Sequence, residues 1–133
     1  MTKRVLIVDD DADIRTLLVR LLSPLAEILE ASDAAEALDL FAKQRPRVVL
    51  LDVSMPGTSG LEVLEAARRL DPSAVFVMLT SHHDLDVARR SLDLGAAAYV
   101  TKPFDCAYIR SEVSRLLSAG GEPPKDRPWK VVE

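Results

Sequence analysis

Three observations make this sequence an α/β protein, predicted to form a doubly wound parallel sheet. Apolar runs rich in β-branched residues recur without polar alternation: Val5-Leu6-Ile7-Val8, Val48-Val49-Leu50-Leu51 and Val75-Phe76-Val77-Met78-Leu79. Such runs suit strands buried on both faces, as in a parallel sheet. Amphipathic helical segments stand between them. Each run also ends in reactive chemistry: the first leads into Asp9-Asp10-Asp11, the second into Asp52 and the third into Thr80. A shorter run, Ala98-Tyr99-Val100-Thr101, ends in Lys102-Pro103. If all these strands run parallel, the polar residues gather at one sheet edge, where open α/β sheets place their sites.

The elements follow in order. After Asp11, Ile14, Leu17, Leu18, Leu21 and Leu22 recur at helical spacing, and Ser23-Pro24 stops that helix. Glu27-Ile28-Leu29-Glu30-Ala31 alternates polar and apolar, as expected of an edge strand. Ser32 or Asp33 can cap a second helix carrying Ala34, Ala37, Leu38 and Phe41, which Arg45-Pro46 ends. Gly60 begins a third helix with Leu61, Leu64 and Ala67 inward, closed by Asp71-Pro72. Asp84 can cap a fourth, with Leu85, Ala88, Leu92 and Val87, ending at Gly95. Asp105 caps a fifth, whose inward face is Ile109, Val113, Leu116 and Leu117. Five strands alternating with five helices, joined by right-handed crossovers, give the flavodoxin-like order 2-1-3-4-5. The switch point then falls between Asp9/Asp10 and Asp52.

Composition bounds the function. The 133 residues suffice for one domain with one real core, and 48% hydrophobic with 29% charged residues is ordinary for a globular protein. Acids outnumber bases 21 to 17, and no Lys/Arg stripe marks a nucleic-acid surface. A lone cysteine, Cys106, excludes an internal disulfide and fits a reducing compartment. The first apolar stretch is too short for a signal peptide or membrane span, so a cytoplasmic location is expected. The domain is expected over residues 1–118. Residues 119–133, with Gly120-Gly121-Glu122-Pro123-Pro124 and an apolar Trp129, read as a flexible tail or linker.

Clustered acids need a reason. Each aspartate alone could be a solvated turn residue, and Lys102 a surface lysine. Together, carboxylates ~4 Å apart repel by about 4 kcal/mol at an effective dielectric near 20, so they raise one another's pKa or recruit a cation. Mg2+ typically takes one or two carboxylates plus waters and phosphate oxygens. An aspartate beside such an ion can attack phosphorus to form an aspartyl phosphate. Lys102 can then hold a phosphoryl oxygen as a point charge and Thr80 can hydrogen-bond another. A cis peptide before Pro103 would aim that lysine inward. Other motifs fail. The Asp9, Asp11, Asp13 spacing suggests an EF-hand, but the glycine position is Ile14 and the twelfth position is Arg20. No Gly-x-Gly-x-x-Gly or P-loop is present.

These segments closely resemble the receiver domain of two-component response regulators. Val5 to Asp11 looks like the family's first strand and acid pair, and Val49 to Gly60 like its phosphorylation segment. Met78-Leu79-Thr80-Ser81 and Gly95 to Phe104 look like the switch threonine and the lysine segment. The resemblance implies that Asp52 accepts phosphoryl from a sensor histidine kinase or phosphotransfer protein. It implies Mg2+ held by Asp9, Asp10, Asp52 and the Ser54 backbone carbonyl, with Thr80 and Lys102 on the phosphoryl group. Thr80 and Tyr99 would relay the change to the face formed by the fourth helix, fifth strand and fifth helix. That face would meet a downstream protein or attached output domain, or pair in a homodimer, where Arg89, Arg90, Arg110 and Arg115 could act. The arginines could equally be solvated helix pairs with acids such as Glu112. Ser54 and His82 stand where the family tunes dephosphorylation, and neither His82 nor His83 reads as a metal ligand. Direct nucleic-acid and membrane binding are not expected. One rival is an Mg2+-dependent aspartyl phosphatase, but the second acid such enzymes usually carry two residues after the nucleophile is here Ser54. The other is an unphosphorylated interaction module.

Overall fold

The computed structural model describes residues 3–55, 57–81, 85–118 and 131–132. In chain order the elements are β1 (Arg4–Val8), α1 (Ala12–Leu22), β2 (Glu27–Ala31), α2 (Ala34–Gln44) and β3 (Val48–Leu51). Then come α3 (Gly60–Leu70), β4 (Val75–Thr80), α4 (Leu85–Asp93), β5 (Ala98–Thr101), α5 (Cys106–Ser118) and β6 (Val131–Val132). The first five strands pair in parallel in the expected order 2-1-3-4-5. A sixth short strand, which the tail chemistry does not announce, adds to β5 in parallel.

Two cores flank the sheet. On one face, Leu6, Val8, Val49, Leu51, Phe76, Met78 and Tyr99 meet α2, α3 and α4 through Ala37, Phe41, Leu61, Leu64, Ala88 and Leu92. Phe41 and Phe76 lie with ring centroids 5.9 Å apart. On the other face, Val5, Ile7, Leu50, Val77 and Val100 meet α1 and α5 through Leu18, Leu22, Ile109 and Val113. Every residue of β3, β4 and β5 is buried, which explains their lack of alternation. β2 lies at the sheet margin and shows the half-exposed pattern expected there.

Local signals do what their chemistry demands. Asp33 caps α2, accepting from the Glu36 amide at 2.8 Å, while Glu36 accepts from the Ser32 amide. Asp11 caps α1 and Asp105 accepts from the Ala107 amide at the start of α5. Gly95 follows α4 at φ +105, open to glycine and costly for other residues. The Asp84 cap and the two histidines fall outside the described residues. Leu17 departs from its helical neighbours and stays 42% exposed. Glu112, for which a solvated helix pair is one of two readings, is buried and pairs with Arg115 one turn along α5. No helix among the described residues is long and apolar enough to cross a membrane.

Candidate functional site

The carboxyl ends of β1, β3, β4 and β5 converge as the parallel registers require. The Asp52 amide donates to the Val8 carbonyl at 2.9 Å, so Asp52 stands beside the last residue of β1. The Asp9 amide donates to Ala31 of β2 at 3.1 Å. The Lys102 amide donates to the Thr80 carbonyl at 2.7 Å, which ties the end of β5 to the end of β4. The Lys102–Pro103 peptide is cis.

Side chains follow this backbone frame. One oxygen from each of Asp9, Asp10 and Asp52 lies within 4.8 Å of the others. Asp9 and Asp52 are buried, whereas Asp10 is exposed at the mouth. The Lys102 ammonium lies 2.6 Å from Asp9 Oδ2 and 3.5 Å from Asp52 Oδ2. Three carboxylates against one ammonium leave the cluster formally negative. The exposed Ser54 lends its amide to Asp52 Oδ1 at 3.1 Å. Thr80 is fully buried and Tyr99 nearly so. Met78 pairs with Tyr99 and Thr80 with Thr101, so strand alternation puts Thr80 and Tyr99 on the same sheet face.

Electrostatics follow from the geometry. Burial raises Asp52 from 3.8 to about 6, with Asp9 and Asp10 adding to the rise and Lys102 and the Ser54 amide opposing it. Burial also works against the Lys102 ammonium. Its hydrogen bond to Asp9 and the charges of Asp52 and Asp9 outweigh that cost, so its pKa lies above the usual lysine value.

Two further residues shape this site from outside the acid cluster. Arg15, in the first turns of α1, donates from Nη1 to the Asp9 carbonyl at 2.6 Å and pairs with Glu30 of β2 at 3.5 Å. Gly60 opens α3 hard against the loop after Asp52, its amide donating to the Val53 carbonyl at 2.8 Å. A Cβ at Gly60 would strike the Asp52 carbonyl oxygen and stand 2.8 Å from Val53 Cα.

The donor set fits a small hard divalent cation: all three groups offer carboxylate oxygen, and their spacing allows a shared ion.

Comparisons with known proteins agree with this architecture. Residues 5–114 match the family model described as the response regulator receiver domain. The chain is 36% identical over 118 residues to sporulation initiation phosphotransferase F of Bacillus subtilis, covering 88% of this chain and 95% of that protein. It is 39% identical to response regulator MprA of Mycobacterium sp. strain KMS, covering 88% of this chain and 51% of that longer protein. Among solved structures, a CheY-like receiver domain protein from Methanospirillum hungatei superposes with a TM-score of 0.85 at 31% identity, covering 89% of this chain and 95% of that one. The chain belongs to the response regulator receiver domain family, the signalling modules of two-component systems.

Proposed function

We propose that this domain is a phosphorylation-controlled switch whose phosphoacceptor is Asp52. One observation carries the reading: Asp52 is buried in a three-carboxylate cluster with the Lys102 ammonium 3.5 Å away. An Asp52 carboxylate oxygen attacks the phosphorus of a phosphohistidine on a sensor histidine kinase or phosphotransfer protein. The P–O bond forms as the P–N bond breaks, and the imidazole leaves with its electron pair. Asp9, Asp10, Asp52 and the Ser54 carbonyl would hold Mg2+. When bound, that ion neutralises charge on the transferring group. Lys102 takes one phosphoryl oxygen as a point charge, and the Thr80 hydroxyl donates to another.

The product carries roughly two negative charges where Asp52 carried one, with added acceptor oxygens. Thr80 gains a bond by moving toward them, which vacates space on the face it shares with Tyr99. Tyr99 then biases two packings of α4, β5 and α5, the face offered to a downstream protein, an output domain or a second copy. The domain turns over no separate substrate and slowly hydrolyses its own acyl phosphate, in the cytoplasm. Against an aspartyl phosphatase stands Ser54, which supplies no acid two residues after Asp52.

Incubation with acetyl phosphate and Mg2+, read by intact mass, tests this. One added phosphoryl is expected, lost without Mg2+ and absent in Asp52→Ala. Equal labelling of that variant overturns the assignment.

A further inference from the structure

We propose that the β5 edge is a strand-accepting surface which the chain fills with its own Val131–Val132, and that this docking is linked to the acid pocket through Thr101 and Lys102. The first clause rests on backbone geometry alone. Val131 pairs with Tyr99 and Val132 with Val100, in parallel. Without that segment, β5 would be the margin of the sheet, presenting a row of unpaired N–H and C=O groups.

The two margins differ in kind. β2, at the far side, carries Glu27 and Glu30, held by Arg4 and Arg15. β5 reads Ala98-Tyr99-Val100-Thr101, with no charge along it. An uncharged margin accepts an extended segment, as in recognition by strand addition, and two β-branched valines suit that role. Twelve residues separate Ser118 from Val131. Fully extended they reach about 40 Å, well beyond the roughly 13 Å of a four-residue strand, so the segment can leave and return with α5 in place. A two-residue ladder makes few hydrogen bonds, so the docked segment exchanges readily with solvent.

The second clause rests on Asp52 acting as proposed above. Val100 lies between Leu79 of β4 and Val132 of β6. Two residues on, Lys102 donates its amide to Thr80 and its ammonium to Asp9. A phosphoryl group on Asp52 draws that ammonium away from Asp9 and moves the end of β5, and β6 must follow or release. Linkage makes the effect reciprocal: a change in docking alters phosphoryl uptake by the same factor in equilibrium.

The test compares the full chain with its V131P/V132P variant, which deletes both strand amides. Amide exchange of residues 98–101 is expected to be on the order of tenfold faster in the variant, with residues 48–51 unchanged as the internal control. Equal exchange in the two proteins overturns the docking. The chain has a single tryptophan, Trp129, two residues before Val131, so its emission reports on the segment. Acetyl phosphate with Mg2+ should change that emission and residue 98–101 exchange in the full chain but not in the variant. Intact mass, recorded alongside, separates the two readings. Phosphoryl uptake with no change in either signal overturns the linkage and leaves Asp52 as acceptor. No uptake overturns Asp52 as acceptor and the linkage together, while the exchange comparison still decides the docking.

Discussion

The Lys102 ammonium contacts the Asp9 carboxylate at 2.6 Å, closer than its 3.5 Å approach to Asp52. Lysine therefore occupies, as an internal cation, one of the three acids that would share a divalent ion. Removing its charge as Lys102→Met should tighten Mg2+ binding, on the order of tenfold given unit charges this close, while phosphoryl uptake falls. Calorimetric Mg2+ titration of both proteins decides it; unchanged or weaker binding in the variant refutes the competition.

Asp52 binds its proton more tightly in the folded chain, with its pKa raised from 3.8 to about 6. The folded state thus holds more protons than the unfolded one between about pH 4 and 6, and stability from this group falls as pH rises through that window. Asp52→Asn should therefore stabilise the domain by roughly 1–3 kcal/mol at pH 7 and by little at pH 4. Urea unfolding at the two pH values measures this, and an equal gain at both contradicts it.

Gly60 tolerates no side chain, because a Cβ there meets the backbone of Asp52 and Val53 rather than a flexible side chain. Gly60→Ala should cost about 1–3 kcal/mol through forced backbone movement. It should also slow phosphoryl uptake, since the displaced loop carries the acceptor. A variant with wild-type stability and labelling rate would show that the loop gives way freely.

Arg15 holds the Asp9 carbonyl from outside the acid cluster, at 2.6 Å. Arg15→Ala should lose about 1.5–3 kcal/mol of stability, the usual range for a hydrogen bond from a charged donor. It should weaken Mg2+ binding as well, because the Asp9–Asp10 peptide loses its brace. Arg15→Lys should recover part of the affinity. Full affinity in the alanine variant would reduce Arg15 to a surface role.

The parts of this molecule written in local chemistry were legible in the sequence. β3, β4 and β5 are buried on both faces, so their residues had to be continuously apolar, and Asp33 and Asp105 cap where side-chain oxygens precede helical periodicity. Asp9, Asp10, Asp52 and Lys102 were legible because strand ends in a parallel sheet must share an edge. Contacts made by convergence left no such trace. Arg15 reads as one more helix cation until α1, β1 and β2 meet around Asp9. Glu112 sits on α5 at a position whose burial depends on packing, with Arg115 satisfying its charge. Leu17 follows the apolar spacing of α1 but points away from both cores. β6 owes its pairing to the β5 margin, since two valines after proline-rich linker chemistry specify no strand alone.

The two ion pairs along β2 guard that margin of the sheet. An incoming strand on that side would have to part Arg4 from Glu27 and Arg15 from Glu30 before forming any ladder. Strand addition at that margin is thereby opposed, while the opposite flank is the one that the chain's own Val131–Val132 covers.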